Sequence, residues 1–214
     1  MGLYFMVMEM AGRPCLVVGG GYVGERKIFA LLEAGARVTL VSPEATRVLA
    51  DMALARQLVW QRREYQPGDI QGMALAFAVS SSAALNARVA ADCRQAGIPV
   101  NVADAPEECT FMVPAVVRRG DLQVAISTGG KSPALARQLR RQIEAEFGPE
   151  YGPWVEFLGE LRPFLKQVWP QDQKRREELL RRLAGDEILF RLVARGKEDL
   201  AKERVKQCLS LPSV

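Results

Sequence analysis

The chain has 214 residues, which is enough for one large domain or two small ones with a real core. Its composition, 49% apolar and 25% charged with a net charge of +4, is ordinary for a globular protein in water. It contains no histidine, which excludes histidine-based triads, metal ligands and general bases and leaves carboxylates as proton acceptors near neutral pH. The four cysteines, Cys15, Cys93, Cys109 and Cys208, form no CxxC pair. Neither a disulfide framework nor a zinc site is therefore predicted, and a reducing cytoplasm is expected.

The first ten residues are apolar, but no basic region precedes them and Glu9 interrupts them. We therefore do not expect a secretory signal. No apolar run reaches the ~20 residues of a membrane span, so no membrane partner is expected. Tyr4 to Met8 has the composition of a short strand that turns at Gly12 to Pro14 into the next strand.

A glycine-rich loop follows the apolar run Leu16 to Val18. Gly19, Gly21 and Gly24 fill the pattern G-x-G-x-x-G between this predicted strand and an amphipathic helix. The first glycine permits a tight turn, the second lets a pyrophosphate approach the backbone, and the third lets the helix pack closely on the strand. The pattern predicts a dinucleotide site, and the alternative is a glycine-rich turn without a ligand. The predicted cofactor contacts here are Gly19, Gly21, Tyr22, Val23 and Gly24.

The second strand, Arg37 to Val41, should carry the ribose contacts at its end. An acidic residue is expected there, about 20 residues after the glycines; Ser42 holds the usual position and Glu44 comes late. No arginine stands at this tip to receive a 2′-phosphate, and Arg47 is the nearest, so NAD is favoured over NADP. A helix is predicted from Glu44 to Arg56. The predicted cofactor contacts at this tip are Ser42, Pro43 and Glu44.

Strands and helices keep alternating up to residue 110. Strands are predicted at 58–60, 73–79 and 99–102, with a helix at 83–96. This order predicts an α/β fold, a doubly wound, Rossmann-like parallel sheet over residues 1–110 that binds NAD beyond the carboxyl ends of its strands. Ser80 and Ser81 follow one such end and are predicted cofactor contacts.

Asp104 lies just past the last predicted strand, on the expected ligand side. A carboxylate there could serve as a general base. The alternative is an aspartate that opens a turn before Pro106, which the residues alone favour. Cys109 is predicted to be a small buried residue, because no histidine is present to activate it as a nucleophile.

The pattern changes after Thr110. Two β-rich runs, 111–118 and 122–127, flank Arg119-Gly120-Asp121 and predict a hairpin, and Ser132-Pro133 predicts the start of a helix that ends near Phe147. The remainder is helical by its periodicity. We therefore expect a small α+β segment at 111–148 and an all-helical domain at 149–214.

Taken together, several motifs resemble those of the precorrin-2 dehydrogenase and sirohydrochlorin ferrochelatase family. Proteins of this family are of the same type as the N-terminal part of siroheme synthases. The resemblance covers residues 1 to 150, with the motifs in the correct order. It does not include the methyltransferase module that fused members of the family carry. Tyr22 and Ser80 to Ser82 depart from the family's usual residues. The matching motifs are Cys15 to Gly21 with Glu25-Arg26-Lys27, Asn101-Val102-x-Asp104, Cys109-x-Phe111-x-x-Pro114-Ala115, Arg118 to Leu122, and Ala125 to Ala136.

The resemblance implies NAD-dependent oxidation of precorrin-2 to sirohydrochlorin, with Asp104 essential, in a homodimer associated through residues 111–148. No metal held by the protein is predicted, because the chain offers no histidine and its four cysteines are not spaced as a site. Some members of the family also insert ferrous iron into sirohydrochlorin. Precorrin-2 carries eight carboxylates, which basic and loop residues could bind by charge-assisted hydrogen bonds. The predicted substrate contacts are Arg118, Arg119, Thr128, Gly129, Lys131 and Arg137.

Two alternatives to a plain dehydrogenase remain at this point. One is a bifunctional enzyme that also inserts iron. The other is a non-enzymatic NAD-binding sensor with a basic helical tail, to which the arginines near 175 and 181 give slight support. No nucleic-acid reader motif accompanies them, so no nucleic-acid partner is predicted.

Overall fold

The computed structural model describes residues 2–209. The chain forms two compact units, divided after Val113. The residues of the predicted segment 111–148 and of the predicted helical domain lie mostly in the same, second unit.

The first unit is a parallel sheet with helices between its strands. Its five strands are hydrogen-bonded in the order β3-β2-β1-β4-β5, which confirms the doubly wound fold. The strand order reverses at β1, so a crevice is expected at the carboxyl ends of β1 and β4. The elements are β1 Pro14–Gly20, α1 Tyr22–Glu33, β2 Arg37–Ala45, α2 Arg47–Leu54, β3 Val59–Gln61, β4 Leu75–Ala78, α3 Ala83–Gln95 and β5 Val100–Val102, with 3₁₀ turns at Pro67–Ile70 and Pro106–Glu108.

The central strand β1 is buried on both faces. Cys15 and Val17 pack in one core cluster with Ile28 of α1. Leu16 packs in a second cluster with Val89 of α3. Because both faces are covered, the strand needs a continuous apolar run, which explains why the sequence signals it so clearly.

Two predicted boundaries in this unit are wrong. Residues 4–8 form no strand; Tyr4 is 90% exposed and Val7 is 94% exposed, and among the described residues no neighbouring strand supplies hydrogen bonds. The predicted helix from Glu44 begins later, because β2 continues to Ala45, which pairs with Gly20 of β1. Thr46 then caps α2 by accepting a hydrogen bond from the Leu49 N–H.

The second unit consists of a hairpin and five helices within residues 114–209. Arg119 pairs with Leu122, so Gly120 and Asp121 form a two-residue turn and the predicted hairpin is confirmed. The first strand starts at Ala115 rather than Phe111. The elements are β6 Ala115–Arg119, β7 Leu122–Ile126, α4 Pro133–Glu146, α5 Tyr151–Val168, α6 Gln173–Ala184, α7 Glu187–Ala194 and α8 Glu198–Leu209.

Asp186 links two helices of this unit. Its carboxylate accepts hydrogen bonds from the Ile188 and Leu189 N–H groups at 3.0 and 2.9 Å and from Arg204 Nε at 2.8 Å. Partial burial on its own would raise the pKa of Asp186, but the Arg204 and backbone donors outweigh it and hold the pKa below its ordinary value. Its contribution to stability is therefore present above the ordinary pKa and is lost as the pH falls through the lowered one.

We expect Asp186→Ala to lower the free energy of unfolding by about 2–3 kcal/mol, because it removes a helix cap and a charge-assisted hydrogen bond. Asp186→Asn keeps the capping oxygen and should lose less. Urea unfolding measures both. The exposed pair Glu198–Lys202 provides a control: Glu198→Ala should cost less than about 1 kcal/mol. Equal losses in the alanine and asparagine variants of Asp186 would contradict the capping role.

Candidate active site

The glycine loop joins β1 to α1; Gly21 is exposed, whereas Gly19 and Gly24 are buried. Gly19 has φ +117°, and a Cβ there would lie 2.7 Å from backbone atoms of Val79 and Ser80. A Cβ on Gly24 would collide with the Gly19 carbonyl, whereas a Cβ on Gly21 would meet nothing within 4 Å. Gly21 caps α1 without a side-chain hydrogen bond, so the first N–H groups of the helix remain open to an anion. The loop therefore fits a pyrophosphate.

The end of β2 holds this loop in place. The Gly20 N–H donates to Ser42 Oγ at 3.1 Å, and the Thr46 N–H donates to the Gly20 carbonyl at 2.9 Å. Thr46 Oγ1 also donates to Glu25 in the first turn of α1 at 2.5 Å. Ser42 thus contacts the loop itself, while Pro43 and Glu44 are exposed at the end of β2.

A buried asparagine, which the sequence analysis missed, orders the end of β4. Asn86 Oδ1 accepts from the Ser80 N–H at 3.0 Å and from Ser80 Oγ at 2.8 Å, and Asn86 Nδ2 donates to the Ser80 carbonyl at 3.0 Å. Ser80 is therefore held beside the glycine loop, while Ser81 is exposed. The sequence did offer a signal for this contact: Asn86 is the fourth residue of the helix that follows the serine run 80–82, so its amide can reach back to those residues.

Asp104 is exposed two residues beyond β5, at the same edge of the sheet as the glycine loop. Its backbone is left-handed, with φ +58°, a conformation that aspartate and asparagine tolerate better than most residues. Its carboxylate accepts no hydrogen bond from any described residue, so it does not serve as the hydrogen-bonding group of a turn.

The Cys109 thiol stabilises the turn that carries Asp104. The Val102 N–H donates to Cys109 Sγ at 3.1 Å, and the carbonyls of Val102 and Ala105 each lie 3.4 Å from the sulfur. Cys109 is partly buried, rather than fully buried as predicted. The contacts give it a structural role in positioning Asp104.

Lys27 places a positive charge near this edge. Its ammonium lies 5.3 Å from the centre of the Phe77 ring on β4. Burial lowers the pKa of Lys27, with a further lowering from Arg26 and an opposing effect of Cys109. The sequence analysis noted Lys27 only within a motif, because nothing in the helical pattern shows that its amine is partly buried.

The predicted substrate contacts all lie in the second unit. Arg119 donates to the carbonyls of Phe147, Glu144 and Arg118 at 2.8 to 3.0 Å, which gives it a structural role at the end of α4. Arg118 and Lys131 are exposed, and Arg137 is exposed on α4. The loop before α4 carries Thr128 and Gly129; Thr128 Oγ1 accepts from the Ser132 N–H at 3.0 Å.

The described residues, 2–209, hold neither a metal-binding cluster nor a membrane-spanning helix. Within this range, no group of three or more acidic, cysteine or histidine residues could hold a metal ion. None of the helices there combines the length and apolar character needed to cross a membrane.

Comparison with protein families matches residues 6–115 to a model described as NAD(P)-binding. The chain belongs to this NAD(P)-binding family. The match extends over β1 to β5 and includes the glycine loop, so the predicted dinucleotide cofactor is confirmed. A second model, described as the central part of a sirohaem biosynthesis protein, matches residues 119–146.

Related proteins extend the resemblance beyond the NAD(P)-binding family model. A siroheme synthase of Methylobacillus flagellatus is 39% identical over 206 residues, which are 95% of this chain and 43% of that protein. A siroheme synthase of Ectopseudomonas mendocina is 42% identical over 168 residues, 78% of this chain and 36% of that protein. The chain thus spans less than half the length of these relatives.

A solved structure named "SirC, precorrin-2 dehydrogenase" matches with a TM-score of 0.75 and 25% identity. The match covers 96% of this chain and 100% of that chain. These relatives confirm the resemblance to siroheme synthases and precorrin-2 dehydrogenases that the motifs predicted. The roles of the individual site residues stay predictions.

Proposed function

We propose that this protein oxidises precorrin-2 to sirohydrochlorin with NAD as the hydride acceptor. The single observation that carries the proposal is the exposed, unengaged carboxylate of Asp104 at the same sheet edge as a dinucleotide-binding glycine loop. The full-length match to a precorrin-2 dehydrogenase structure and the identity to siroheme synthases support the choice of substrate.

The reaction removes two hydrogens from the tetrapyrrole, one as a hydride and one as a proton. NAD, when bound at the glycine loop, would supply the hydride acceptor. Asp104 accepts the proton, because its exposed carboxylate lies at the same sheet edge as the glycine loop and accepts no hydrogen bond from described residues. Gly21 and the first N–H groups of α1 would hold the pyrophosphate, and Ser42 and Asn86 keep the neighbouring loops in position.

The resemblance assigns the carboxylates of the substrate to basic residues, of which Arg118, Lys131 and Arg137 are exposed. Arg137 Nε also donates to the Pro133 carbonyl at 3.3 Å, and the partly buried Arg119 donates to three backbone carbonyls. The hairpin of β6 and β7 supports a homodimer through residues 111–148. Within the described residues it is a two-stranded sheet packed on α4, so each strand has one edge whose backbone groups are available to pair with another chain.

The proposal is tested by adding precorrin-2 and NAD to the pure protein under anaerobic conditions and following absorbance at the NADH band. Steady NADH formation that depends on precorrin-2 is expected. NAD binding without turnover would overturn the proposal and favour the non-enzymatic sensor, especially if the protein also bound DNA in a salt-sensitive way.

We expect NAD to be used more efficiently than NADP. The exposed carboxylate of Glu44 lies in the last residues of the cofactor-binding strand β2 and would repel a 2′-phosphate. The kcat/KM for NAD should exceed that for NADP by about tenfold or more, the size of one lost charged contact. Comparable values for the two cofactors would contradict this expectation.

A further inference from the structure

The end of β2 is contacted by two side chains, Trp60 of β3 and Arg62, the residue that follows β3. Trp60 Nε1 donates to the Ser42 carbonyl at 2.9 Å. Arg62 Nε donates to the Pro43 carbonyl at 3.3 Å, and its guanidinium carbon lies 5.5 Å from the centre of the Trp60 ring. The backbone of the β2 tip is therefore bonded to both side chains, and the guanidinium is held beside Pro43.

This placement matters because the ribose of the adenosine is expected at the carboxyl end of β2. In sheets of this type, an acid there accepts from the 2′-hydroxyl, and a nearby arginine accommodates a 2′-phosphate. Arg62 is exposed, and its terminal nitrogens donate to no described residue. The planar donor fork of a guanidinium matches the oxygens of a phosphate.

Glu44 and Arg62 thus place opposite charges around Pro43. Arg47, the arginine nearest in sequence, sits instead at the start of α2, with a side chain 94% exposed and paired loosely with Asp51. Arg62 contacts the β2 tip directly, whereas Arg47 makes no hydrogen bond to it among the described residues. Because β2 pairs with β3, the cation beside the expected ribose position is Arg62 and not Arg47, although Arg47 is nearer to Pro43 in the sequence.

We propose that Arg62 is the specificity-determining residue of the ribose site and receives the 2′-phosphate of NADP, which binds as a second, weaker cofactor. Glu44 sets the preference for NAD, and Arg62 limits how large that preference is. The inference rests on the dinucleotide site of the proposed function but not on its substrate.

The test measures binding by isothermal titration calorimetry to the full chain, without turnover. The probes are NAD, NADP, AMP and adenosine 2′,5′-bisphosphate, the last two differing only in the 2′-phosphate. Arg62→Gln should lower the affinity for NADP and for the bisphosphate by about tenfold or more, the effect of one charge-assisted hydrogen bond. The affinities for NAD and AMP should change by less than about twofold. Arg47→Gln is the matched control and should change none of the four. Arg62→Lys, which keeps the charge and loses the fork, should fall between wild type and Arg62→Gln.

Three results would overturn the inference: equal weakening of all four probes in Arg62→Gln, a selective loss in Arg47→Gln instead, or no measurable NADP binding by the wild type. Far-ultraviolet circular dichroism of each variant shows that the fold is retained. Selective loss in Arg62→Gln with no oxidation of precorrin-2 would support this inference while refuting the proposed function. If the protein oxidises precorrin-2 but Arg62→Gln binds NAD and NADP with the wild-type ratio of affinities, the proposed function would be supported and this inference refuted.

Discussion

Asp104→Asn is expected to lower kcat for precorrin-2 oxidation by about 10²–10⁴-fold, the usual contribution of a general base. The amide keeps the size and shape of the carboxylate but cannot accept the proton. Because asparagine also tolerates the left-handed backbone found at this position, the turn after β5 should be unchanged. NAD affinity should therefore stay within about twofold, as expected when only a transition-state interaction is removed.

Glu107 provides the matched control for this prediction. It is an exposed carboxylate three residues further along, in the 3₁₀ turn that begins at Pro106. Glu107→Gln should leave turnover near the wild-type rate. Near-normal turnover in Asp104→Asn would return Asp104 to the status of a turn residue and would require another proton acceptor.

The second large effect separates two glycines of the same motif. Gly21→Ala should fold normally, because the added Cβ meets no atom within 4 Å and the backbone of Gly21 has an ordinary extended conformation. It should nevertheless weaken NAD binding by about tenfold or more, since the methyl group would occupy the space through which a pyrophosphate approaches the backbone.

Gly24→Ala should behave in the opposite way. Its Cβ would collide with the Gly19 carbonyl, so α1 must move away from β1. The expected cost is about 1–3 kcal/mol or more in the free energy of unfolding, as for other overpacked sites. Urea unfolding and calorimetric NAD binding measure the two effects separately. A destabilised Gly21→Ala variant, or unchanged NAD affinity in it, would contradict this assignment of the loop.

Much of the first unit could be predicted from sequence because its signals are local. The run Leu16 to Val18 is apolar throughout since both of its faces are buried, and the three motif glycines follow it closely in the chain. The carboxyl ends of β1, β4 and β5 follow from strand order, so Gly19, Ser80 and Asp104 could be expected at one edge.

What the sequence could not show depends on pairings between distant residues. β2 extends to Ala45 because Gly20 pairs with it, and this shifts the start of α2. The segment 4–8 has strand composition but no strand to pair with among the described residues. Arg62 and Pro43 are 19 residues apart in the chain, and their hydrogen bond forms because the pairing of β2 with β3 brings them together.

The most direct test of the central claim is the stoichiometry of the reaction. Precorrin-2 is mixed anaerobically with excess NAD and the protein, and NADH and sirohydrochlorin are quantified from the same absorbance spectra. One NADH should form for each sirohydrochlorin, at a rate proportional to wild-type protein and nearly absent with Asp104→Asn. Sirohydrochlorin formed without NADH, or at the same rate with the variant, would contradict an NAD-dependent dehydrogenation that uses Asp104 as its base.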